Sequence, residues 1–277
     1  MPGMGKHPLR IVSVGECTID HYLDLQQEFV GGISLNFAVH GKRCGAEAVS
    51  LVSRIGKDHG TSILQKLVSE GIDTSHVTIH HGATARQNVA LTASGERIFP
   101  PGGYQPGVLE GYLLHESDLL FVQRHNLLAS ALFQQVEPLF RQVMETLPFE
   151  GWRVADFLDL SDYGKDIGVI EEFMERLTIA FISGDHELVE RLRQLSPATN
   201  CLIVVTLGAE GSVALVKGEP LYQPSLRVAD VVDSTGCGDA FQAAFTVSYW
   251  NHGDVRRASQ CGAQQATSVL RHYGAID

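Results

Sequence analysis

Short apolar runs alternate along most of the chain with longer stretches in which apolar residues recur every three or four positions. The short runs predict buried strands, and they lie at residues 9–14, 49–55, 119–122, 153–157, 179–182 and 202–206. The longer stretches predict helices, of which one covers residues 58–71. Strands that alternate with helices predict an α/β protein, with a mostly parallel sheet covered by helices on both faces. Ligands of such sheets bind where the strands end.

One part of the first half of the chain departs from this alternation. Two short alternating runs, at residues 88–92 and 97–99, flank a Ser-Gly-Glu turn and predict a β-hairpin. A hairpin that interrupts strands and helices is typical of a separate flap. The segment 100–107 is rich in proline and glycine and predicts a return linker, and residues 1–7 predict a frayed start.

Composition restricts the class of protein and its partners. A length of 277 residues suits one large domain over residues 1–277. The chain has 21 Lys and Arg against 32 Asp and Glu, a net charge of −11, which argues against binding to nucleic acid or to acidic membranes. Its five cysteines form no C-x-x-C pair, and no apolar run approaches the roughly 20 residues that span a bilayer. We therefore expect a cytoplasmic protein without a disulfide framework or a zinc site.

The motif that carries most chemical information is DSTGCGDAF at residues 233–241. Gly236 and Gly238 allow successive N–H groups to point into one concavity, and the helix predicted after them adds the positive end of its dipole. Asp239 stands at the mouth of this anion site, where a carboxylate can take the proton of an attacking hydroxyl. The alternative is that Asp239 only caps a helix. The polar residues before the turn and the apolar helix after it favour chemistry, and predict phosphoryl transfer to an alcohol.

Two other segments are candidates for binding a nucleotide and its metal. The strand at residues 202–206 ends at Thr206 and leads into a loop with Gly208 and Gly211, which would hold the rest of a nucleotide. A simple turn between two strands is the alternative. Glu187 would bind Mg²⁺ through water, and a solvated helix carboxylate is the alternative. The chain contains neither a P-loop motif nor a dinucleotide-binding glycine fingerprint.

Taken together, these motifs resemble the PfkB, or ribokinase-like, family of carbohydrate kinases. The resemblance covers nearly the whole chain. It is most specific at residues 233–241, close to the family's D-T-x-G-A-G-D signature, and is supported by GGISLNFAVHGKRCG at residues 31–45 and RIGKDHG at residues 54–60. The resemblance implies a large doubly wound α/β domain with a small β lid, formed by segments near residues 16–32 and 78–106. The sugar and ATP would meet between the two.

The resemblance also implies roles for individual residues. Asp239 is the implied catalytic base, and Gly236, Cys237 and Gly238 supply the implied anion hole. The implied substrate-binding residues are Asp20, Gly31, Gly32, Asn36 and, from the hairpin, Arg97; the implied nucleotide-binding residues are Thr206, Gly208, Gly211 and Thr235. Glu187 matches the glutamate of the family's N-x-x-E metal motif. The chain departs from the family where Gly184 replaces the asparagine of that motif and where Cys237 replaces the commoner alanine.

The function implied is ATP-dependent phosphorylation of a hydroxyl on a sugar or sugar derivative. ATP and Mg²⁺ are the implied cofactors, and a monovalent cation such as K⁺ is a common requirement in the family. Weaker strings, including LDLSD at residues 158–162, are similar to fructoselysine 6-kinases and suggest a fructosamine acceptor. Arg86 and Arg97, on the predicted hairpin, are candidates to close over a substrate, and the alternative is that at least one of them is a solvated strand residue.

Two other functions remain as alternatives to a sugar kinase, and the sequence also predicts an assembly state. A nucleoside or vitamin-type kinase of the same fold is one alternative, since Tyr22 and Phe37 offer aromatic rings for purine stacking. A non-catalytic sugar or nucleotide sensor is the other, and the glycine at position 184 is its only support. An exposed β face on the lid predicts a homodimer.

Overall fold

The structure is a computed structural model that describes residues 7–277, so the predicted frayed start lies outside the described residues except for His7. The strands are β1 (Arg10–Val14), β2 (Thr18–Tyr22), β3 (Gln27–Gly31), β4 (Ala48–Gly56), β5 (Asp73–His80), β6 (Ala85–Leu91), β7 (Arg97–Ile98), β8 (Tyr104–Gln105), β9 (Leu127–Ala131), β10 (Trp152–Asp156), β11 (Ile179–Ser183), β12 (Leu202–Thr206), β13 (Gly211–Val216) and β14 (Glu219–Pro224). The α-helices are α1 (Ile33–Arg43), α2 (Gly60–Ser69), α3 (Glu116–Val122), α4 (Glu137–Arg141), α5 (Gly168–Phe173), α6 (His186–Leu195), α7 (Cys237–His252) and α8 (Val255–Val269).

Nine of the strands form a large sheet in the order β14-β13-β12-β11-β10-β9-β1-β4-β5. Neighbours from β12 to β5 run parallel, and β13 pairs antiparallel with both β12 and β14. The central strands are buried on both faces, because adjacent residues such as Ile11 and Val12 of β1 belong to two different apolar clusters, whereas the edge strands β5 and β14 are largely exposed or half-buried. The predicted α/β fold, with a doubly wound and mostly parallel sheet, is confirmed.

One helix accounts for much of the packing on the face of this sheet to which Ile11 points. Helix α7 is buried along almost its whole length, from Asp239 to Trp250, and packs against α1 and α8. The rings of Phe241 and Phe245 meet Phe181 of β11 edge-on. This packing places the first turn of α7 at one edge of the sheet. Among residues 7–277 no helix is long and apolar enough to cross a membrane.

The strand predicted at residues 119–122 is wrong, because those residues belong to helix α3. The side chain of Asp118 accepts a hydrogen bond from the backbone N–H of His115 at 3.1 Å, which stabilises the helix start. Leu120 is 53% exposed, as a helix surface allows and a buried strand does not. The strand of the sheet is β9, whose five residues are all buried. A short apolar run does not distinguish the two structures by its period.

The remaining five strands form a small second sheet. Strand β2 pairs antiparallel with β3 and parallel with β6, and β6 carries the short partners β7 and β8. Strands β6 and β7 make the hairpin predicted at residues 88–99. The segment predicted as a linker at residues 100–107 contains β8, which pairs with β6 through Gln105 and Tyr104. Strand β3 is left as an open edge of this sheet.

Candidate active site

A cleft of about 740 Å³ lies between the small sheet and the carboxyl ends of the large-sheet strands. Its walls include Glu16 after β1, Asp156 at the end of β10 and Ser183 at the end of β11. The small sheet contributes Asp20 and Arg97. Because the carboxyl ends of parallel strands meet at one edge of the sheet, side chains distant in sequence converge here.

The glycine turn (residues 233–238) leads into helix α7 at this cleft. Gly236 has φ +79°, and a Cβ there would lie 2.3 Å from the Cβ of Ala275, so the position requires glycine on both counts. Gly238 lies inside the helix, and within residues 7–277 an added Cβ would meet no atom closer than 4 Å. Both glycines line the cleft. The start of this 16-residue helix is therefore open to the cleft at Gly238, and the unpaired amides of a first helical turn attract anions.

Cys237 contributes to the turn through its backbone alone. Its N–H donates a long hydrogen bond of 3.3 Å to the carbonyl oxygen of Ser234. Its Sγ donates to the carbonyl oxygen of Ala266 at 3.5 Å, on the side of helix α8. Burial raises the pKa of this thiol to about 12, so it stays protonated and unreactive. Cys237 is not part of the cleft lining, so its side chain does not shape the cleft.

Asp239 lines the cleft in the first turn of α7 and is only 9% exposed. Its Oδ2 accepts a hydrogen bond of 2.7 Å from Nδ2 of Asn36, which lies in α1. Burial raises the pKa of this carboxyl to about 8, against the opposing effect of the Asn36 hydrogen bond. A carboxylate with a pKa close to neutral pH is well matched to accept a proton from a hydroxyl.

Asp20 faces the same cleft from strand β2. Its Oδ1 accepts a hydrogen bond of 2.9 Å from Thr18, and burial raises its pKa to about 7. Its Oδ2 lies beside Gly31, where an added Cβ would come within 2.2 Å of that oxygen. Gly32, with φ +108°, lines the cleft at the start of α1. Gly31 does not line the cleft, but the lack of a side chain at this position makes room for the Asp20 carboxylate.

Arg97 lines the cleft from the tip of the small sheet, and Arg86 does not. The backbone N–H of Arg97 donates to Oγ of Ser234 at 3.0 Å, and its Nη1 donates to the carbonyl oxygen of Ser234 at 3.3 Å. Its positive charge acts to lower the pKa of Asp20 and Asp239. The guanidinium of Arg86 instead pairs with Glu28 on the neighbouring strand β3.

Two buried carboxylates of the cleft were missed from the sequence. Glu16 accepts hydrogen bonds from the N–H of Ile33 at 3.1 Å and from the hydroxyl of Tyr104 at 2.8 Å. Oδ1 of Asp156 accepts a hydrogen bond of 2.9 Å from the backbone N–H of Leu158. Burial raises the pKa of both carboxyl groups. The one available signal was their position, since each stands at or just after the end of a predicted strand.

The residues predicted to bind a nucleotide are only partly assembled around the cleft. Thr235 lines it, and Oγ1 of Thr206 lies 2.9 Å from Oγ of Ser183, which also lines it. Gly208 and Gly211 do not line the cleft. A Cβ at Gly211 would lie 2.1 Å from the carbonyl oxygen of Gln223, so the pairing of β13 with β14 already requires this glycine.

The predicted metal ligand lies apart from these residues. Glu187 is exposed in the first turn of α6 and is not part of the cleft lining. A side chain at Gly184 would meet Cδ2 of Leu188 at 2.3 Å, so no asparagine fits there without a shift of that leucine. Within residues 7–277 no group of three or more His, Cys, Asp or Glu side chains is arranged to hold a metal ion. The residues fit Mg²⁺ only as an ion carried by the phosphates of ATP.

The sequence matches the profile described as pfkB family carbohydrate kinase over residues 9–156 and 170–277. The chain belongs to this family. It is 28% identical over 269 residues to fructoselysine 6-kinase of Escherichia coli (strain K12), with 96% of this chain and 98% of that protein covered. It is 26% identical over 276 residues to fructosamine kinase FrlD of Bacillus subtilis (strain 168), with coverage of 97% and 93%.

Solved structures agree on the fold. The nucleoside kinase of Methanocaldococcus jannaschii superposes with a TM-score of 0.77 at 19% identity, and covers 99% of this chain and 94% of its own. Ribokinase from Cryptococcus neoformans var. grubii, in complex with ADP, gives a TM-score of 0.78 at 19% identity, with coverage of 98% and 96%. The predictions of the family, of the ribokinase-like fold and of an ATP-dependent sugar kinase are confirmed, and no finding favours the alternative activities.

Proposed function

We propose that this kinase phosphorylates a primary hydroxyl of a fructosamine, a sugar joined to an amine, with Asp239 as the general base. The observation that carries the proposal is the position of Asp239. Its buried carboxyl faces the cleft in the first turn of α7, beside the backbone amides of the glycine turn and with a pKa of about 8. An acceptor hydroxyl and a phosphate bound in this cleft would both lie within its reach.

The chemistry follows from the groups around Asp239. The acceptor oxygen attacks the γ-phosphorus of ATP, its proton passes to the Asp239 carboxylate, and ADP leaves with the electrons of the broken P–O bond. The amides of Gly236 and Gly238 would face the phosphate and stabilise negative charge that develops during transfer, and the amide of Cys237 would join them only by giving up its 3.3 Å hydrogen bond to Ser234. Asn36 keeps the carboxyl oriented through its 2.7 Å hydrogen bond, and Arg97 adds positive charge from the small sheet. Mg²⁺, when bound to ATP, supplies further neutralisation of the phosphates.

The hydrogen-bonding character of the cleft supports a polyol that also carries positive charge. The side-chain donors Thr18, Asn36 and Tyr104 are already used by Asp20, Asp239 and Glu16. Oδ1 of Asn36, in contrast, is buried without a partner among the described residues. Acceptor oxygens that lack donors suit the hydroxyl groups of a sugar. The buried carboxylates suit a protonated amine on the same substrate, as the names of the two fructosamine-type kinase relatives also suggest.

The nucleotide and ion assignments belong to the same proposal. Thr235, together with Thr206, Gly208 and Gly211 beyond the cleft, would hold ATP, and Glu187 would reach its Mg²⁺ through water. Exchange of K⁺ for Na⁺ at constant ionic strength tests the monovalent cation, and Glu187→Gln tests the metal contact through the Mg²⁺ concentration that gives half-maximal activity. The assignment of Glu187 is wrong if that concentration stays the same.

The general base is tested by Asp239→Asn. Since general-base help contributes about 10² to 10⁴ in rate, kcat should fall at least about 10²-fold while binding of a non-hydrolysable ATP analogue is retained. Asp254→Asn is the matched control, because Asp254 caps helix α8 and lies outside the cleft. Near-normal turnover by a folded Asp239→Asn enzyme would remove Asp239 from the mechanism.

The acceptor is tested by coupled ADP release over simple sugars, fructoselysine and other fructosamines, and nucleosides. The proposal expects the highest kcat/KM for a fructosamine. A higher value for free fructose or for a nucleoside would contradict the proposed substrate and leave the kinase chemistry intact.

A further inference from the structure

A buried hydrogen bond joins the small sheet to the glycine turn. Tyr22, the last residue of β2, is 1% exposed and donates its hydroxyl to Oδ2 of Asp233, which is 0% exposed. The two residues are 211 positions apart in the chain. Neither belongs to the groups that contact the acceptor or the phosphate in the mechanism above. A carboxylate buried this completely depends on its donors, so the loss of one is costly.

Asp233 sets the shape of the turn that follows it. Its Oδ1 accepts the backbone N–H of Thr235 at 2.8 Å and the hydroxyl of the same residue at 2.7 Å. Its Oδ2 accepts the N–H of Gly274 at 3.0 Å in addition to the Tyr22 hydroxyl. Thr235 directly precedes Gly236, where the phosphate-facing amides begin. The orientation of the Asp233 carboxylate therefore determines the conformation of the turn.

The same strand carries a substrate contact and this structural contact. Asp20 and Tyr22 are two positions apart in β2, and side chains at that spacing point to the same face of a strand. Asp20 lines the cleft, where it is proposed to contact the acceptor, while Tyr22 reaches the turn that is proposed to contact the phosphate. A movement of β2 that repositions one side chain repositions the other.

The hairpin makes a second, independent connection to the turn. The N–H of Ser234 donates to the carbonyl oxygen of Gly95 at 3.0 Å, and Oγ of Ser234 accepts the N–H of Arg97 at 3.0 Å. A Cβ at Gly95 would come within 2.6 Å of the carbonyl oxygen of Val231, so the two segments are in close contact. The small sheet therefore contacts the turn at two adjacent residues: strand β2 contacts Asp233, and the hairpin contacts Ser234.

We propose that Tyr22 is a positioning residue, whose hydroxyl holds Asp233 and with it the glycine turn in the phosphate-binding conformation when β2 is seated on the large domain. Binding of the acceptor to β2 and binding of phosphate to the turn then strengthen each other, as linkage requires. The inference rests on the proposed roles of Asp20 and of the turn amides.

The test compares Tyr22→Phe with Tyr273→Phe. The rings of Tyr273 and Tyr22 pack edge-on, with their centroids 6.3 Å apart. The hydroxyl of Tyr273, however, makes no hydrogen bond within residues 7–277. With fructoselysine as acceptor, Tyr22→Phe should lower kcat about tenfold, the size expected for loss of a hydrogen bond to a charged group. The KM for fructoselysine should stay within about twofold, and Tyr273→Phe should match the wild type.

A binding measurement separates this positioning role from a general loss of structure. Calorimetry should show that Tyr22→Phe weakens binding of the ATP analogue AMP-PNP about fivefold or more, whereas the affinity for adenosine, which lacks phosphates, is unchanged. This binding measurement needs no acceptor, so it tests the role of Tyr22 even if the enzyme does not phosphorylate fructoselysine. Ser234→Ala makes the same comparison from the hairpin side if Tyr22→Phe does not fold.

Two results would overturn the inference. One is a folded Tyr22→Phe enzyme with kcat and AMP-PNP affinity within twofold of the wild type. The other is an equal loss in Tyr22→Phe and Tyr273→Phe, which would assign the effect to ring packing. Failure of the proposed base is seen separately in Asp239→Asn, so an active Asp239→Asn enzyme with an impaired Tyr22→Phe enzyme would refute the base and support the inference.

Discussion

Gly238→Ala should make this protein more stable and less active at the same time. The glycine lies in the first turn of α7 with ordinary helical geometry, and an added Cβ would have no neighbour within 4 Å in residues 7–277. The methyl group would therefore fit the folded protein without a clash. It would project into the cleft that the residue lines, into the space assigned to phosphate.

The two effects have different sizes. Alanine in place of glycine stabilises a helix by up to about 1 kcal/mol, less near an end. For a chain of this length, an unfolding entropy of about 2.1 cal/mol/K per residue turns that gain into a rise in Tm of about 2 °C. Blocked access to the turn amides removes transition-state contacts that are typically worth about 10² to 10³ in rate. We therefore expect kcat/KM to fall at least about 10²-fold.

The assay combines thermal unfolding without nucleotide, AMP-PNP titration and coupled ADP release. Gly236→Ala is the matched control two residues earlier, where φ is +79° and the new Cβ would lie 2.3 Å from that of Ala275. This control should lower Tm, because both the backbone conformation and the contact are unfavourable. The comparison separates a filled anion site from a damaged fold.

The reasoning would be refuted by a Gly238→Ala enzyme that binds AMP-PNP and turns over as the wild type does. Phosphate would then bind elsewhere, and the exposed amides at the start of α7 would have no part in catalysis. A fall in Tm of the same size as that of Gly236→Ala would refute the claim that the position is sterically open.

Four further predictions concern charge and assembly. The pKa of Asp239 in the folded protein, about 8, lies above its ordinary value of 3.8. Between these two pH values the folded protein therefore binds a proton that the unfolded chain has lost, so the contribution of Asp239 to the free energy of unfolding falls as pH rises from about 3.8 to about 8. Asp239→Asn should therefore have a Tm that exceeds the wild-type Tm by a margin that grows up to about pH 8 to 9, and a constant margin would contradict the raised pKa. In the wild type, kcat/KM should rise with pH toward about 8, with an apparent pKa that belongs to the coupled carboxyl cluster. Arg97→Ala should raise KM or lower kcat about tenfold or more while Arg86→Ala, at a residue that pairs with Glu28 outside the cleft, leaves both within about twofold; equal effects would contradict the distinction. We propose a homodimer through the open edge of β3, for which light scattering should give twice the chain mass, and a monomer at all working concentrations would exclude it.

Local signals in the sequence were sufficient for five of the nine strands of the large sheet, namely β1, β4, β10, β11 and β12, and for the glycine turn. Apolar runs mark most strands because a strand buried on both faces must be apolar throughout, whatever its neighbours are. The spacing of Gly236, Gly238 and Asp239 marks the turn, because backbone freedom and a carboxylate at a helix start are properties of adjacent residues. The same argument failed at residues 119–122, where a short apolar run belongs to a helix surface and the true strand follows at 127–131.

Tertiary structure alone decided how the site is completed. Glu16 and Asp156 join the cleft only because the ends of β1 and β10 meet at one edge of the sheet, and no local spacing records that proximity. The raised pKa of Asp239 arises from burial, which depends on the packing of all the surrounding elements. The hydrogen bond from Tyr22 to Asp233 crosses 211 positions. Sequence periodicity reports what a residue does within its own turn or strand, whereas contacts and desolvation exist only after distant segments have come together.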